Sequence, residues 1–148
     1  MKSTLLSLLT LVAISAGGIT GGFAQCKTFT KKCLPKLQPY IHNGQLNSTT
    51  LAESETAELM MTFYSGQNYR IQICAQDVLG NVQFSLLDQD RNVIFDNKEH
   101  NFSDHWDFNV NSTMRFIISV SIPAPDSKAA TNQIVQSGCV SVLVGFKD

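Results

Sequence analysis

Oxygen-bearing side chains recur at short intervals in the middle of the chain. Asp88, Asp90, Asn92 and Glu99 stand at the first, third, fifth and twelfth positions of one window. A calcium-binding loop supplies oxygen ligands from these positions. The sixth position, which needs a glycine for the sharp turn, holds Val93, and the flanking residues are typical of strands. The segment therefore predicts an Asp- and Asn-rich turn, with a calcium site as the alternative, and no cofactor is assigned.

The same region carries aromatic and imidazole side chains. Residues 88–107 contain six acids and two bases, with His100, His105 and Trp106 among them. An acidic loop of this kind could hold a divalent ion, or it could bind a glycan with Trp106 as the stacking platform. The two histidines are five residues apart and lack the helical His-Glu-x-x-His frame of a zinc site. Trp106 alternates with Phe108, so packing in the core is the competing interpretation.

The first 24 residues have the organisation of a secretory signal peptide. Lys2 precedes an apolar run from Leu5 to Ile14, and a segment of small residues ends at Ala24. The apolar run is shorter than a membrane span requires. We therefore expect cleavage after Ala24, a secreted or periplasmic mature chain, and no membrane span once the signal is removed.

Charge divides the predicted mature chain into an arm and a body. Residues 25–42 hold four lysines and no acid, whereas residues 43–148 hold six bases against twelve acids. An exported, acidic body is a poor surface for nucleic acid, which we exclude as a partner. The predicted organisation is a signal peptide (1–24), a basic N-terminal arm (25–43) and one domain (44–148).

Beyond Gly44 apolar residues recur at every second position, a pattern that is typical of strands with one buried face. Alternating apolar residues recur in seven or eight short segments, separated by turns about every ten residues. Only paired sheets bury so many one-sided strands. The pattern predicts an all-β fold, an antiparallel, jelly-roll-like β-sandwich of seven to eight strands that follows a short, disulfide-stapled N-terminal arm.

All four cysteines, Cys26, Cys33, Cys74 and Cys139, lie in the predicted mature chain. An even number of cysteines in an exported chain predicts disulfides. By strand period, Cys74 and Cys139 point away from the core, so a bond between them would join neighbouring strands on the outer surface of one sheet. This pairing leaves Cys26 with Cys33, which would close a small loop in the arm.

Catalytic signatures are absent from the sequence, so no catalytic residue is assigned. There is no Gly-x-Ser-x-Gly elbow, phosphate-binding loop or dinucleotide fingerprint. The predicted function is a non-catalytic binding or structural module at the cell envelope or outside the cell. Its expected partner is an extracellular or envelope protein or a surface polymer. A calcium-dependent binding module that uses residues 88–99, and a minor hydrolase, are the alternatives.

Three stretches of the predicted domain carry a family resemblance: they read SGQNYRIQICAQ, VQFSLLDQDRNVIFDN and FNVNSTMRFIISVSI. With them, residues 55–146 resemble the bacterial pre-peptidase C-terminal domain, a jelly-roll-like domain of secreted proteins. The resemblance implies a binding or structural role and offers no catalytic residue. The signal, with Ala24-Gln25 at its end, across the predicted cleavage site, is similar to those of small exported proteins of the Bacteroidetes type.

Overall fold

Two antiparallel β-sheets pack face to face in the computed structural model, which describes residues 21–124 and 134–148 and the side chains from residue 25 onward. In these residues an α-helix, α1 (Gly21–Cys33), precedes nine strands. The strands are β1 (Ile41–His42), β2 (Asn47–Ala52), β3 (Thr56–Phe63), β4 (Gln67–Ala75), β5 (Gln83–Leu87), β6 (Val93–Asp96), β7 (His105–Val110), β8 (Met114–Ser121) and β9 (Ser137–Lys147). Short 3-10 helices lie at Leu34–Leu37, Asp77–Leu79 and Asn97–His100.

The pairing of these strands confirms the predicted all-β sandwich. Sheet A has the order β1-β9-β4-β7, and β2 also pairs with β9. Sheet B has the order β3-β8-β5-β6. The strand count exceeds the predicted seven to eight because β1 has only two residues and β2 is largely polar, so neither shows apolar alternation. Most of the predicted signal peptide, residues 1–20, lies outside the described residues.

Alternation along the strands places large apolar side chains between the two sheets. Phe63, Ile71, Phe84, Leu86 and Ile118 are all fully buried there. Ile71 belongs to sheet A and the other four belong to sheet B. Since burial of one such side chain stabilises a fold by roughly 1.5–3 kcal/mol, this shared interior is the main source of stability.

Stacked aromatic rings close one long side of the sandwich. Phe95 of β6, in sheet B, stacks on Trp106 of β7, in sheet A, with ring centroids 4.5 Å apart and an interplanar angle of 9°. Trp106 also stacks with Phe108, at 4.6 Å between centroids. This column ties the edge strands of the two sheets together. The opposite long side, where β1 and β2 face β3, we call the open side.

Helix α1 covers the outer face of sheet A. Cys26, Thr30 and Cys33 recur at i, i+4 and i+7, which places them on one helix face, and all three are buried. The Thr30 hydroxyl donates a hydrogen bond to the Cys26 carbonyl and also hydrogen-bonds with the hydroxyl of Ser141 in β9. Helix and sheet therefore meet through small side chains, and the basic residues of the helix face solvent.

The predicted disulfide pairing is wrong, because Cys26 is bonded to Cys139. Cys26 and Cys33 are two helical turns apart, a rise of about 10.5 Å along α1. A disulfide tolerates a separation between Cα atoms of at most about 6.8 Å. The predicted Cys26–Cys33 bond is therefore impossible once this segment is helical.

The predicted bond between Cys74 and Cys139 fails for a different reason. Both residues point away from the core, as predicted, and their strands β4 and β9 are neighbours. However, Cys74 lies opposite Ser141, so that Cys139 is offset by two residues along β9. Cys139 instead faces the middle of helix α1, where Cys26 lies. Cys33 and Cys74 are buried, free thiols.

Asn97 fastens the segment between β6 and β7 to β5. Its side chain is 1% exposed; its Oδ1 accepts a hydrogen bond from the Phe84 amide, and its Nδ2 donates to the carbonyls of Val82 and Ser103. We expect Asn97→Ala to lower the free energy of unfolding by about 2–3 kcal/mol, because it leaves buried backbone groups without partners. Urea denaturation measures this loss. The exposed Asn109→Ala is the matched control and should change stability by less than about 0.5 kcal/mol; an equal loss in both variants would contradict the assignment.

Arg70 joins the arm to sheet A. Its Nε and Nη2 each donate to the Asp107 carboxylate at 2.7 Å, and its Nη1 donates to the Gln38 carbonyl at 3.1 Å. Its guanidinium also lies over the Tyr40 ring, 4.7 Å from the centroid. One cation thus connects β4, β7 and the segment that follows the helix.

The Arg70–Asp107 pair predicts a pH dependence of stability. The hydrogen bonds from Arg70 hold the pKa of Asp107 below its ordinary value, although burial opposes them. The carboxylate therefore stabilises the fold at pH values above about 4, and this stabilisation is lost as the pH falls through the lowered pKa. We expect Asp107→Asn to melt at a lower temperature than the wild type at pH 7 and to converge with it near pH 2. Thermal melts across this range that stay parallel would contradict the prediction.

Candidate functional site

Two clefts lie on the open side of the sandwich. The inner cleft has a volume of about 300 Å³ and is lined by β2, β3 and apolar side chains of the core, with Val120 and Val142 among them. The Nδ2 atom of Asn47, which also lines it, is buried without a hydrogen-bond partner among the described residues. The outer cleft, which we call the edge cleft, has a volume of about 530 Å³ and reaches the turn between β3 and β4.

Hydrogen bonds to neighbouring elements fix the backbone of the β3–β4 turn, residues Tyr64–Gly66. We call it the locked turn. The Tyr64 amide donates to the Tyr69 hydroxyl at 2.9 Å, and the Ser65 amide donates to the Thr113 hydroxyl at 3.0 Å. The Gly66 amide donates to the Val110 carbonyl at 2.8 Å, and its φ of 82° lies in the left-handed region that glycine adopts without strain. Three successive amides thus bond to β4, β7 and the β7–β8 turn.

This arrangement presents the side chain of Tyr64 to solvent. Tyr64 is 62% exposed, whereas Tyr69, whose hydroxyl fixes the Tyr64 amide, is only 6% exposed. The adjacent β7–β8 turn, residues 111–113, is also exposed. The two turns together read Tyr-Ser-Gly and Asn-Ser-Thr and carry no charge. Tyr, Ser, Gly and Asn are the residues enriched in antibody binding loops, because they combine aromatic contact area with adaptable hydrogen bonding.

The edge cleft lies beside Tyr64 and extends the same surface. Met60 of β3, 56% exposed, lines it together with Tyr64, while Val144 and Phe146 of β9 line it from sheet A. Asn43 spans the two sheets here, since its Nδ2 lies 3.7 Å from the sulfur of Met61. The open side therefore offers an aromatic projection next to a concave surface, a combination suited to the recognition of another macromolecule.

Three of the predicted calcium ligands, Asp88, Asp90 and Asn92, form a turn, whereas Glu99 lies in the 3-10 helix Asn97–His100. Both carboxylate oxygens of Asp88 accept hydrogen bonds from Asn92, one from its amide and one from its Nδ2, each at 2.8 Å. These bonds lower the pKa of Asp88. In the part of the chain that the structure describes, no three His, Cys, Asp or Glu side chains are placed to share a metal ion. Asp88, Asp90 and Glu99 are therefore not gathered into the predicted site.

The structure places two of the predicted binding residues, His100 and Trp106, in one aromatic column and pairs the third, His105, with Asp104. Trp106 is half-buried in the aromatic column, which agrees with its interpretation as a core residue. His100 stacks on Phe95 at 5.0 Å between ring centroids. His105 is exposed, and its Nδ1 lies 2.9 Å from Asp104 Oδ1. Phe95 therefore joins His100 to Trp106, and the role of these side chains in binding stays a prediction.

Asp104 and His105 bring a carboxylate into contact with an imidazole, which is the kind of pair that the hydrolase alternative would use. The Ser103 hydroxyl donates to the His105 carbonyl, at 3.0 Å, and not to the imidazole. Asp104 also accepts a hydrogen bond from Lys36 at 3.2 Å. The pair is thus part of an exposed ionic network that docks the arm, and Ser103 is not oriented as a nucleophile.

Among solved structures, the chain is similar to PliG of Aeromonas hydrophila, a periplasmic inhibitor of g-type lysozyme. The two share 12% sequence identity with a TM-score of 0.50, and the match covers 74% of this chain and 90% of PliG. At this identity the likeness shows a shared fold. No protein-family model and no curated protein matches the chain, so the resemblance to the pre-peptidase C-terminal domain stays a prediction. Within the described residues, no helix is long and apolar enough to cross a membrane.

Proposed function

We propose that this chain is an exported, non-catalytic β-sandwich that binds a protein through the locked turn and the edge cleft. The observation that carries the proposal is the bonding of three successive turn amides beneath the exposed Tyr64. A turn fixed in this way loses little conformational entropy when it binds, which leaves more of its contact energy as affinity. Tyrosine is among the residues that dominate binding energy at protein interfaces.

The partner that we propose is a lysozyme-type glycoside hydrolase. Support comes from the shared fold with PliG, an inhibitor of g-type lysozyme, and from the predicted export of the chain. The locked turn is short and uncharged and carries an exposed tyrosine at one end of the sandwich, so it suits insertion into a cleft. Binding of this kind would block the hydrolase sterically and would need no catalytic residue in the chain.

A lysis assay tests this function. The full chain is expressed with its own N-terminal segment, recovered from the exported fraction of the host, and titrated into g-type lysozyme acting on a suspension of bacterial cell walls. We expect the rate of clearing to fall with increasing chain concentration, and biolayer interferometry to show a saturable complex. Binding without a change in lysis would contradict inhibition, and neither binding nor inhibition would contradict the proposed partner.

The calcium-dependent alternative is separated by adding a chelator to the same assay. Since Asp88 is engaged by Asn92, we expect the affinity to be unchanged when EDTA replaces calcium. Loss of binding in EDTA would instead support the metal-dependent module.

A further inference from the structure

The two free thiols meet beneath the end of helix α1. Cys33 and Cys74 pack in one buried cluster with Leu37 and Leu143, away from the main core between the sheets. Cys33 is 7% exposed and Cys74 is 3% exposed. The cluster lies on the outer face of sheet A, the face that carries the Cys26–Cys139 bond.

Helix spacing and strand register place the two cysteine pairs side by side. Cys26 and Cys33 lie on one face of the helix, two turns apart, with Thr30 between them. On the sheet, Ser141 lies next to Cys139 on the same face of β9 and directly opposite Cys74 of β4. The hydrogen bond between Thr30 and Ser141 thus lies between the Cys26–Cys139 bond and the meeting of Cys33 with Cys74. Helix α1 crosses from β9 to β4, with Cys26 at its contact with β9 and Cys33 at its contact with β4.

The surroundings of these thiols fit a structural role better than a reactive one. Burial raises the pKa of Cys74, and its hydrogen bond with the Cys33 thiol raises it further. A thiol of this kind is a poor nucleophile toward external substrates, since the thiolate is the reactive form. In an oxidising compartment, two adjacent buried thiols are instead expected to pair.

We propose that Cys33 and Cys74 form a second disulfide in the exported protein. The oxidant is a disulfide of the exporting compartment, carried by a thiol oxidoreductase or by a small molecule such as glutathione disulfide. In the exported chain, before helix α1 packs on sheet A and buries the thiols, one cysteine thiolate attacks the oxidant and releases its first thiol; the other cysteine then attacks the mixed disulfide and releases the second. Each cysteine thiol loses its proton, a sulfur–sulfur bond forms between Cys33 and Cys74, and the oxidant's disulfide is reduced to two thiols.

This pairing would fix the helix to sheet A at two points. Cys26 would hold the middle of the helix to β9, and Cys33 would hold its end to β4. The two bonds would use all four cysteines of the chain. The expectation of a fully oxidised protein would then hold, with a connectivity that differs at every cysteine from the pairing predicted from strand period.

Peptide mapping tests the proposal, because trypsin leaves every cysteine on a different peptide. Cys33 falls on residues 33–36 and Cys74 on residues 71–91, while Cys26 and Cys139 fall on peptides that end at Lys27 and Lys147. The full chain, exported by its host, is alkylated under denaturing conditions without reduction, digested and analysed by mass spectrometry. We expect peptide 33–36 to be joined to peptide 71–91 and to be released by reduction.

The Cys26–Cys139 link in the same digest is the internal control for oxidation. Recovery of Cys33 or Cys74 in alkylated form, beside an intact Cys26–Cys139 link, would overturn the proposal. A link from Cys33 to either of the other two cysteines would also overturn it. Because the mapping uses the wild-type protein, the result does not depend on whether a cysteine variant folds.

Discussion

Replacing Cys26 and Cys139 together by alanine is expected to lower the free energy of unfolding by about 4 kcal/mol. The bond joins residues 113 positions apart, so that its removal frees the unfolded chain from a very long loop. It also releases the middle of helix α1 from β9. The total free energy of unfolding of a small domain is only about 5–15 kcal/mol. A measurable fraction of this variant should therefore be unfolded well below the melting temperature of the wild type.

Equilibrium urea denaturation without reductant measures this effect. Lys27→Ala is the matched control, since Lys27 is exposed on the same helix beside Cys26. The control should unfold at nearly the same urea concentration as the wild type. A double alanine variant with wild-type stability would mean that the Cys26–Cys139 bond does not constrain the fold.

Replacing Tyr64 by alanine is expected to weaken binding to g-type lysozyme by about 30-fold, the loss typical of a central aromatic contact. The side chain is 62% exposed in the free chain, so the variant should keep the stability of the wild type. Biolayer interferometry against immobilised lysozyme gives the affinity, and a thermal melt shows that the fold is retained. Loss of stability together with affinity would remove the support for a direct contact.

Two further variants separate contact from positioning. Val78→Ala truncates an apolar side chain that is 49% exposed beyond the opposite end of β4, and it should leave the affinity unchanged. Thr113→Val removes the hydroxyl that accepts a hydrogen bond from the Ser65 amide. The variant keeps the Tyr64 side chain but loosens the turn that carries it, so it should also weaken binding. Equal affinities for Tyr64→Ala and Val78→Ala would place the binding surface elsewhere.

The alternation of apolar and polar residues along the strands predicted the sandwich and the direction of most side chains. Phe63, Ile71 and Ile118 face the interior as their alternation requires, and Trp106 joins the aromatic column. The same alternation also placed Cys74 and Cys139 correctly on an outer face of a sheet. These features depend on local period, which a sequence displays directly.

The packing of helix α1 on that outer face was harder to predict. Alternation along a strand gives the direction of a side chain but does not identify the residue that it contacts. Strand β9 does carry a signal, since Leu143 is apolar on the same face as Cys139, and a strand that is apolar on both faces is typically covered on both. The spacing of Cys26, Thr30 and Cys33 is helical and would have ruled out a bond within the arm. The pairing of Cys26 with Cys139 depends on how the helix crosses the sheet, which no local pattern encodes.

The candidate site shows the same division between local and long-range information. Alternation after the buried Phe63 predicts that Tyr64 points outward, and Ser65-Gly66 predicts a turn. The bonds that hold this turn come from Tyr69, five residues away, and from Thr113, 48 residues away. The rigidity of the locked turn is therefore a property of the assembled sandwich. The Asp88 segment, in contrast, draws attention in the sequence but satisfies its own hydrogen bonds locally.

Hydrogen exchange of the chain, alone and in complex with g-type lysozyme, tests the central claim most directly. The proposed binding mode predicts that added protection falls on residues 64–69 and 110–114, around the locked turn and its neighbour. It also predicts unchanged exchange in β6 and in the Asp88 turn, on the side closed by the aromatic column. Protection confined to that closed side, with the locked turn unaffected, would contradict the proposal that this sandwich binds its partner through Tyr64 and the edge cleft.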